Sequence, residues 1–368
     1  MLLTVVVFLI ILGLLVFVHE FGHFITAKKM GMKVEEFGFG FPPRLIKLFH
    51  KDGTDYTLNW IPLGGFVKIK GEAGDHLEDE DSFSHKKPWQ RFIVLIAGVT
   101  MNMILGWVLL SIGFMIGMPQ VIDSSSPSAT VTAESIQIVS VDPNSAAAEA
   151  GIKPGDKILQ IDGDKISSIA QLQDIVKQSS AEVTLLLDRG GKQIDLKITP
   201  RPLSENGDKV LGVGLVKTGI VSYPFFQAII EGGKATVYLT WQIVSSFAVL
   251  LKNLVTGQQV SADIAGPVGI AVLTGQVMQL GFVYLLQFAA LLSINLAIIN
   301  ILPIPALDGG RILFLAIEKI RNRPVDQKLE AFIHNIGFIL LMILLLFVTV
   351  RDIGKFNSAI FSVLKKIF

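Results

Sequence analysis

Cysteine is absent from this chain of 368 residues. That excludes a disulfide framework and a thiolate zinc site, so any metal must be held by histidine and carboxylate. An excess of either charge is missing too. The formal net charge is +1 and no basic stripe carries interleaved aromatics, which sets nucleic acid aside. Residues 1–18 hold no charged side chain at all. With neither a basic leading region nor a small-residue cleavage site, this stretch reads as a retained membrane anchor and not as a signal peptide. What the chain does have is apolar character: 51% hydrophobic residues and a mean hydropathy of +0.57. A soluble protein of this length carries less, yet enough polar sequence remains for a soluble part.

Four stretches reach the roughly 20 apolar residues that a bilayer crossing needs. They cover about residues 2–27, 92–118, 281–302 and 331–350. Lys28, Lys29, Arg44, Lys86, Lys87 and Arg91 lie between the first two; Arg311, Lys319, Arg321, Arg323 and Lys328 lie between the last two. The positive-inside rule makes both loops cytoplasmic and leaves the termini and residues 119–280 on the outer face. Residues 235–251, uncharged between Lys234 and Lys252, are the alternative fifth span. Their Thr, Gln and Ser content, with Tyr238 and Trp241, suits an interfacial amphipathic helix instead. Parity agrees, because a crossing there would carry the end of the third span away from the inner end of the first.

Those two ends need to meet. His19-Glu20-Phe21-Gly22-His23 is a His-Glu-x-x-His pattern at the inner end of the first span. Helical periodicity puts His19 and His23 on one face as ligands of a single zinc ion, with Glu20 beside them as general base. A catalytic zinc takes three protein ligands and keeps a fourth position open, and Asp308 is the candidate third. It ends the run of residues 300–310, where Pro303 and Pro305 break helical hydrogen bonding and Gly309 and Gly310 relax the backbone. An ionisable group bordering a span is costly and by default functional.

These residues resemble the site-2 protease family of intramembrane zinc metalloproteases, bacterial RseP type. His19-Glu20-x-x-His23 is similar to the family's first-helix motif and Leu307-Asp308-Gly309 to its third-ligand motif. Residues 98–102 (Gly-Val-Thr-Met-Asn) resemble the small-residue motif of its second helix, and residues 266–269 (Gly-Pro-Val-Gly) the segment before its third. The resemblance implies that Asn300, Pro303 and Pro305 accommodate substrate. It also implies a reentrant β-loop at about residues 54–71, where β-formers surround Pro62-Leu-Gly64-Gly65 and read as a hairpin turning there. Gly65, Phe66 and Val67 are then expected to hold an unwound substrate chain by main-chain hydrogen bonds. Two departures stand out: one PDZ domain where well-known members have two, and Arg311 where some have His.

Between the second and third spans, residues 135–141 and 157–161 read as strands, 145–151 and 169–178 as helices, and 183–188 with 193–199 as a hairpin about Gly190-Gly191. Residues 146–163 strongly resemble the PDZ domains of bacterial membrane proteases, which accept peptides by strand addition or restrict entry. Asn102 serves either an interhelical hydrogen bond or substrate contact. His50, His76, His85 and His334 read as ordinary loop or helix-end residues, residues 78–81 as a solvated acidic loop, and Phe225 and Phe226 as interfacial anchors.

The expectation is therefore a polytopic α-helical membrane protein with four transmembrane helices, a membrane-reentrant β-hairpin and one inserted α+β PDZ domain. Its parts are a catalytic membrane domain at residues 1–118 and 263–368, the PDZ domain at 127–217, and an interfacial region at 223–262. The resemblance implies Zn2+ as cofactor and the bacterial cytoplasmic (inner) membrane as location. It implies single-pass membrane proteins as substrates, such as a pre-trimmed anti-sigma factor or remnant signal peptides. A PDZ adaptor with structural zinc would need a fourth protein ligand, which is not apparent, and a zinc transporter would spread ionisable groups through several spans.

Overall fold

Long uncharged runs leave the backbone no hydrogen-bond partner in lipid but itself, so they form helices. The structure, a computed structural model, describes residues 2–72, 74–122, 129–179, 181–202, 209–258, 265–323 and 325–355. The expected PDZ start at residue 127, the boundary at 262–263 and everything past residue 355 lie outside those residues. In chain order the helices are α1 (Leu2–Lys29), α2 (Pro88–Ile116), α3 (Ala146–Glu149), α4 (Ile169–Gln178), α5 (Phe225–Val255), α6 (Pro267–Leu280), α7 (Phe282–Ile301), α8 (Asp308–Arg321) and α9 (Gln327–Lys355). The longer strands are β1 (Val34–Lys51), β2 (Thr54–Ile69), β3 (Met118–Val121), β4 (Thr130–Val141) and β5 (Lys157–Ile161), with β6 (Asp164–Lys165) a short addition to β5. There follow β7 (Val183–Arg189), β8 (Lys192–Ile198), β9 (Arg201–Pro202), β10 (Lys209–Val210) and β11 (Val213–Ser222). Two compact units result, Met1–Ile112 with Ile229–Phe368, and Gly113–Ala228.

In the first unit α1, α2, α5, α7 and α9 are long and apolar enough to cross a membrane by length and composition. The chain is a polytopic membrane protein. Residues 235–251 are not a separate short segment but the middle of the 31-residue α5, whose best window has a mean hydropathy of 1.2 against 2.1–3.0 for the other four. Close approach of small residues joins the helices. A Cβ on Gly22 would sit 2.6 Å from the Ala97 carbonyl oxygen, and one on Gly106 would sit 2.8 Å from Ile294.

The β-hairpin differs from the sequence expectation in extent and has a turn beyond the expected one. It begins at Val34, and the reversal between β1 and β2 falls at Asp52-Gly53, both with positive φ (51° and 76°). Asp-Gly with two left-handed residues is the type I′ turn that matches strand twist. β2 turns again between residues 58 and 65, as the Pro62–Gly65 signal implies, and Gly64, at φ 81°, leaves room for the Val16 side chain of α1. Both strands double back: residues 36–39 register with residues 65–68 on one side and residues 55–58 on the other. The base is anchored by Ala27, Met32, Val34, Ile69, Phe83, Val94, Leu95 and Leu315, one buried cluster joining α1, the hairpin, α2 and α8.

α6 starts at the Gly-Pro-Val-Gly segment, and its Gly266 cap offers no side-chain hydrogen bond. The cap comes from elsewhere. Asp352, 3% exposed on α9, accepts the Gly269 N–H at 2.6 Å, and the positive end of the helix dipole favours that carboxylate. Asp352→Ala is expected to destabilise the membrane unit by about 1–3 kcal/mol, because a buried N–H is orphaned. Asp352→Asn, which keeps an acceptor, should lose less; equal melting temperatures for wild type and the Ala variant would refute the role.

The second unit is a sheet in the order β3-β11-β4-β5-β7-β8, with β6 on β5. Alternation in β7 turns Val183, Leu185 and Leu187 inward onto Leu172 and Val176 of α4. Ser145 and Ser168 cap α3 and α4 by accepting the N–H of Ala148 and Gln171. This is the PDZ domain, with β11 and β3 added to the strands legible in the sequence. Asp156, buried at the start of β5, takes both arms of the Arg189 guanidinium at 2.7 Å and the Lys153 N–H at 2.9 Å. The Arg189 hydrogen bonds hold its carboxyl below the usual carboxylate range. A lowered folded-state pKa contributes stability above the unfolded value, near 3.9, and loses it as pH falls through the folded one. Amide-exchange protection of β5 and β7 in the intact chain, corrected for intrinsic rates, should therefore weaken between about pH 5 and 3. In Asp156→Asn that dependence should flatten; an unchanged profile would count against the pair.

Candidate active site

α1 presents two imidazoles one turn apart because residues i and i+4 share a helix face. His19 and His23 are each 7% exposed, and their Nε2 atoms lie 3.2 Å apart. The His23 Nδ1–H donates to the Val94 carbonyl of α2 at 2.8 Å, which fixes the tautomer and leaves Nε2 as a free lone pair. Asp308 arrives as the first residue of α8. α7 ends at Ile301, Pro303 and Pro305 keep residues 302–307 out of either helix, and Ala306 takes a φ of 78°. Asp308 Oδ2 then stands 3.2 Å from His19 Nε2 and 3.3 Å from His23 Nε2.

Three acceptor atoms at mutual distances of 3.2–3.3 Å repel one another unless a cation lies between them. A tetrahedral zinc with bonds of ~2.0–2.1 Å sets its ligand atoms roughly 3.3 Å apart. Donor types, spacing and a buried Asp308 Oδ2 with no hydrogen-bond partner among the described residues all fit that ion. Gly98 makes the room: a Cβ there would collide with His23 Nε2 and lie 2.6 Å from His19 Cε1.

The profile of peptidase family M50 matches residues 7–344. The chain belongs to peptidase family M50. It is similar over 96% of its length to the regulator of sigma-W protease RasP of Bacillus subtilis, 33% identical and covered over 98%. It is 34% identical to the putative zinc metalloprotease FN1322 of Fusobacterium nucleatum, across 96% of this chain and 99% of that one. Among solved structures it matches the PDZ domain of the SdrC-like protein from Listeria monocytogenes, 24% identical over 23% of this chain and 92% of that one, at a TM-score of 0.22. This M50 protein is an intramembrane protease that works with zinc.

Glu20 lies between the histidines and β2, where a Cβ on Gly65 would be 3.2 Å from its Cβ and Cγ. Asn300, near the end of α7, has its Nδ2 at 3.3 Å from His19 Nε2. Pro303 is exposed and Pro305 half-buried, with Gly337 of α9 pressed against Pro305. Gly65 is buried and Phe66 and Val67 half-buried in the strand that packs on α1. Asn102 is fully buried one turn beyond Gly98; its carbonyl accepts from Ser293 Oγ at 2.8 Å, and its side-chain amide has no partner among the described residues. The Arg311 guanidinium meets Glu72 at 2.6 Å, away from the ligands.

His334 departs from its sequence reading as a helix-end residue. Its Nδ1 accepts the Ala306 N–H at 2.9 Å, bracing the loop that delivers Asp308. Only three-dimensional packing reveals this, as it does the Val94 carbonyl, a backbone group with no signal in side-chain identity. His50, in β1 and not in a loop, pairs with Asp55 of β2 across the Asp52-Gly53 turn, and His76 and His85 bind partners within residues 76–85. Within the acidic loop, Asp79 and Asp81 share Lys70 at 2.8 and 2.7 Å. Phe225 and Phe226 are exposed.

Proposed function

We propose that this protease hydrolyses peptide bonds in or near transmembrane segments of single-pass membrane proteins, with zinc held by His19, His23 and Asp308. The convergence of those three side chains at the inner ends of membrane helices carries the reading. Bound zinc supplies Lewis-acid polarisation of the scissile carbonyl and acidifies water. Glu20 is the residue placed to take a proton from the attacking water and to pass it to the leaving amine. Asn300 orients the carbonyl beside the metal, and Pro303 and Pro305 keep the adjoining backbone open for the substrate. A helical substrate hides its peptide bonds, so residues 65–67 hold it unwound along the edge of β2, within reach of Glu20. Val67→Pro removes one main-chain donor there and should lower cleavage with zinc retained. Full activity in that variant would sink the edge.

Four spans support this chemistry. α1 and α7 bring their C-terminal ends to the metal and α2 starts beside it, so α1 and α7 run the same way and α2 runs back. An even number of crossings must then separate α2 from α7. The 14 residues of α6 span roughly 21 Å, short of a ~30 Å core. α5 accordingly lies in the interface, with Tyr238 and Trp241 exposed. The PDZ domain, the start of α1 and the end of α9 fall on the outer side of a bacterial cytoplasmic membrane, with the metal near the inner side.

Between α4 and β11 the PDZ domain has a cavity of about 550 Å³ lined by Leu172, Val176, Leu211 and Leu215. β3 takes the edge of β11 from Thr218 to Val221, and residues 213–216 ahead of it offer the place where an extended peptide adds as a strand. A relative named for sigma-W regulation favours a pre-trimmed anti-sigma factor over a remnant signal peptide as substrate. The test is cleavage by purified protein of a tagged single-span protein already shortened on its outer side. Loss of the intact band with a cut inside or beside the span supports the reading. Cutting confined to soluble loops overturns it.

A further inference from the structure

A second cavity, about 350 Å³, sits in the membrane unit behind the loop that carries Asp308. Its wall includes Glu72 just past β2, Arg91 of α2, Arg311 of α8, and Gln327, Glu330 and His334 of α9. The guanidinium groups are already engaged, Arg91 with Glu318 at 3.2 Å and Arg311 with Glu72 at 2.6 Å. With two arginines against Glu72 and Glu330, the wall does not select a charged ligand.

Three buried polar atoms of this wall have no partner among the described residues: Arg91 Nε, Gln327 Oε1 and His334 Nε2. Their roles are determined. Arg91 Nε–H donates and Gln327 Oε1 accepts. Because His334 Nδ1 accepts the Ala306 N–H, the neutral ring carries its proton on Nε2, which donates. Two donors and one acceptor are the complement of a peptide unit, whose carbonyl takes two hydrogen bonds and whose N–H gives one. The volume exceeds one water's share by roughly tenfold.

Position adds direction. β2 runs from the proposed substrate edge at residues 65–67 to Ile69, and Glu72 lines the cavity three residues later. A turn closed by the Glu72 N–H donating to the Ile69 carbonyl at 3.2 Å brings Glu72 back beside the end of β2, so an extended chain of about four residues laid along that edge reaches from Val67 to the cavity. We propose that this cavity is a subsite for the cytoplasmic flank of the substrate, bound as extended backbone: a carbonyl to Arg91 Nε–H and His334 Nε2–H, an amide N–H to Gln327 Oε1. The proposal rests on the protease reading above and adds where the inner flank of the cut chain is held.

The experiment uses full-length enzyme in lipid nanodiscs and a single-span substrate in two forms, with its cytoplasmic flank intact or removed close to the span. Removing the flank should raise KM about tenfold for wild type, the loss of one or two hydrogen bonds, with kcat little changed. In Gln327→Leu combined with Arg91→Lys, which keeps the charge facing Glu318, removal should change KM less than about twofold, because the partners are already gone. Wild type alone supplies a second arm that needs no variant. N-methylation of flank amides should raise KM at one position, whereas reversal of flank charge should not. Equal KM penalties for flank removal in wild type and variant, or no penalty in wild type, would overturn the subsite while leaving the protease reading intact. No cleavage of either form by wild type would instead strike the protease reading itself.

Discussion

Glu20→Gln is expected to retain zinc and fold and to cleave about 10²–10⁴-fold more slowly than wild type, the range that a positioned general base contributes. The substitution is nearly isosteric, and the three ligand atoms that set the metal geometry are on other residues. Glu20 is one residue along α1 from His19, so it shares the helix that the ligands fix but turns toward β2, where Gly65 closes against its Cβ and Cγ. That packing limits the carboxylate to a few rotamers and ties the proton-transfer group to the strand proposed to hold the substrate. The measurement is zinc content per protein and initial cleavage rate on a pre-trimmed single-span substrate. A Gln variant that turns over at the wild-type rate would remove Glu20 from the mechanism, and a variant that loses zinc would make it a structural residue.

Gly98→Ala should have an effect of similar size by a different route. One methyl group on α2 enters the space of His23 Nε2 and comes within 2.6–2.8 Å of His19 Cε1 and Nδ1. α2 cannot retreat, since Gly22 of α1 already lies against the Ala97 carbonyl and Val94 is bound to His23 Nδ1. The imidazoles must rotate away, and zinc affinity should fall at least ~10–100-fold, the size seen when ligand orientation is lost. Cleavage falls with it and recovers in part at high zinc, a signature Glu20→Gln lacks. Thr100→Val, two residues along on an exposed face, should bind zinc normally. Full zinc occupancy of Gly98→Ala at limiting metal would contradict the geometry.

Much of this site is legible in the chain because its signals are local. His19, Glu20 and His23 declare themselves through helical period. The break before Asp308 is visible because two prolines mark backbone that cannot stay helical, whereas Gly309 and Gly310 lie within α8 and instead let the Ile301, Leu302 and Ile304 carbonyls approach. In the PDZ domain, β5 and α4 match the expected bounds of 157–161 and 169–178, since period-two alternation and a serine cap are properties of short windows. The β-hairpin shows where local reading fails. It holds two turn signals, Asp52-Gly53 and Pro62–Gly65, and the chain reverses at both, but only the pairing of residues 36–39 with 55–58 on one side and 65–68 on the other shows how the pieces lie together. β3 and β11 were missed for a related reason, because a strand completed by a partner some hundred residues away has no local mark.

The sequence by itself determined the chemistry: no cysteine, so histidine and carboxylate for the metal; long apolar runs, so membrane helices; a His-Glu-x-x-His pattern, so two ligands and a base. What the tertiary structure decided is everything that depends on two distant segments sharing a few ångströms. Asp308 reaches histidines 285 and 289 residues earlier. The Val94 carbonyl sets a tautomer, Gly98 leaves a void, Asp352 caps a helix 83 residues away, and His334 braces the loop behind the metal. Side-chain type is carried by each residue separately, but distance between far-apart residues is a property of the packed chain, and zinc geometry is a matter of distance.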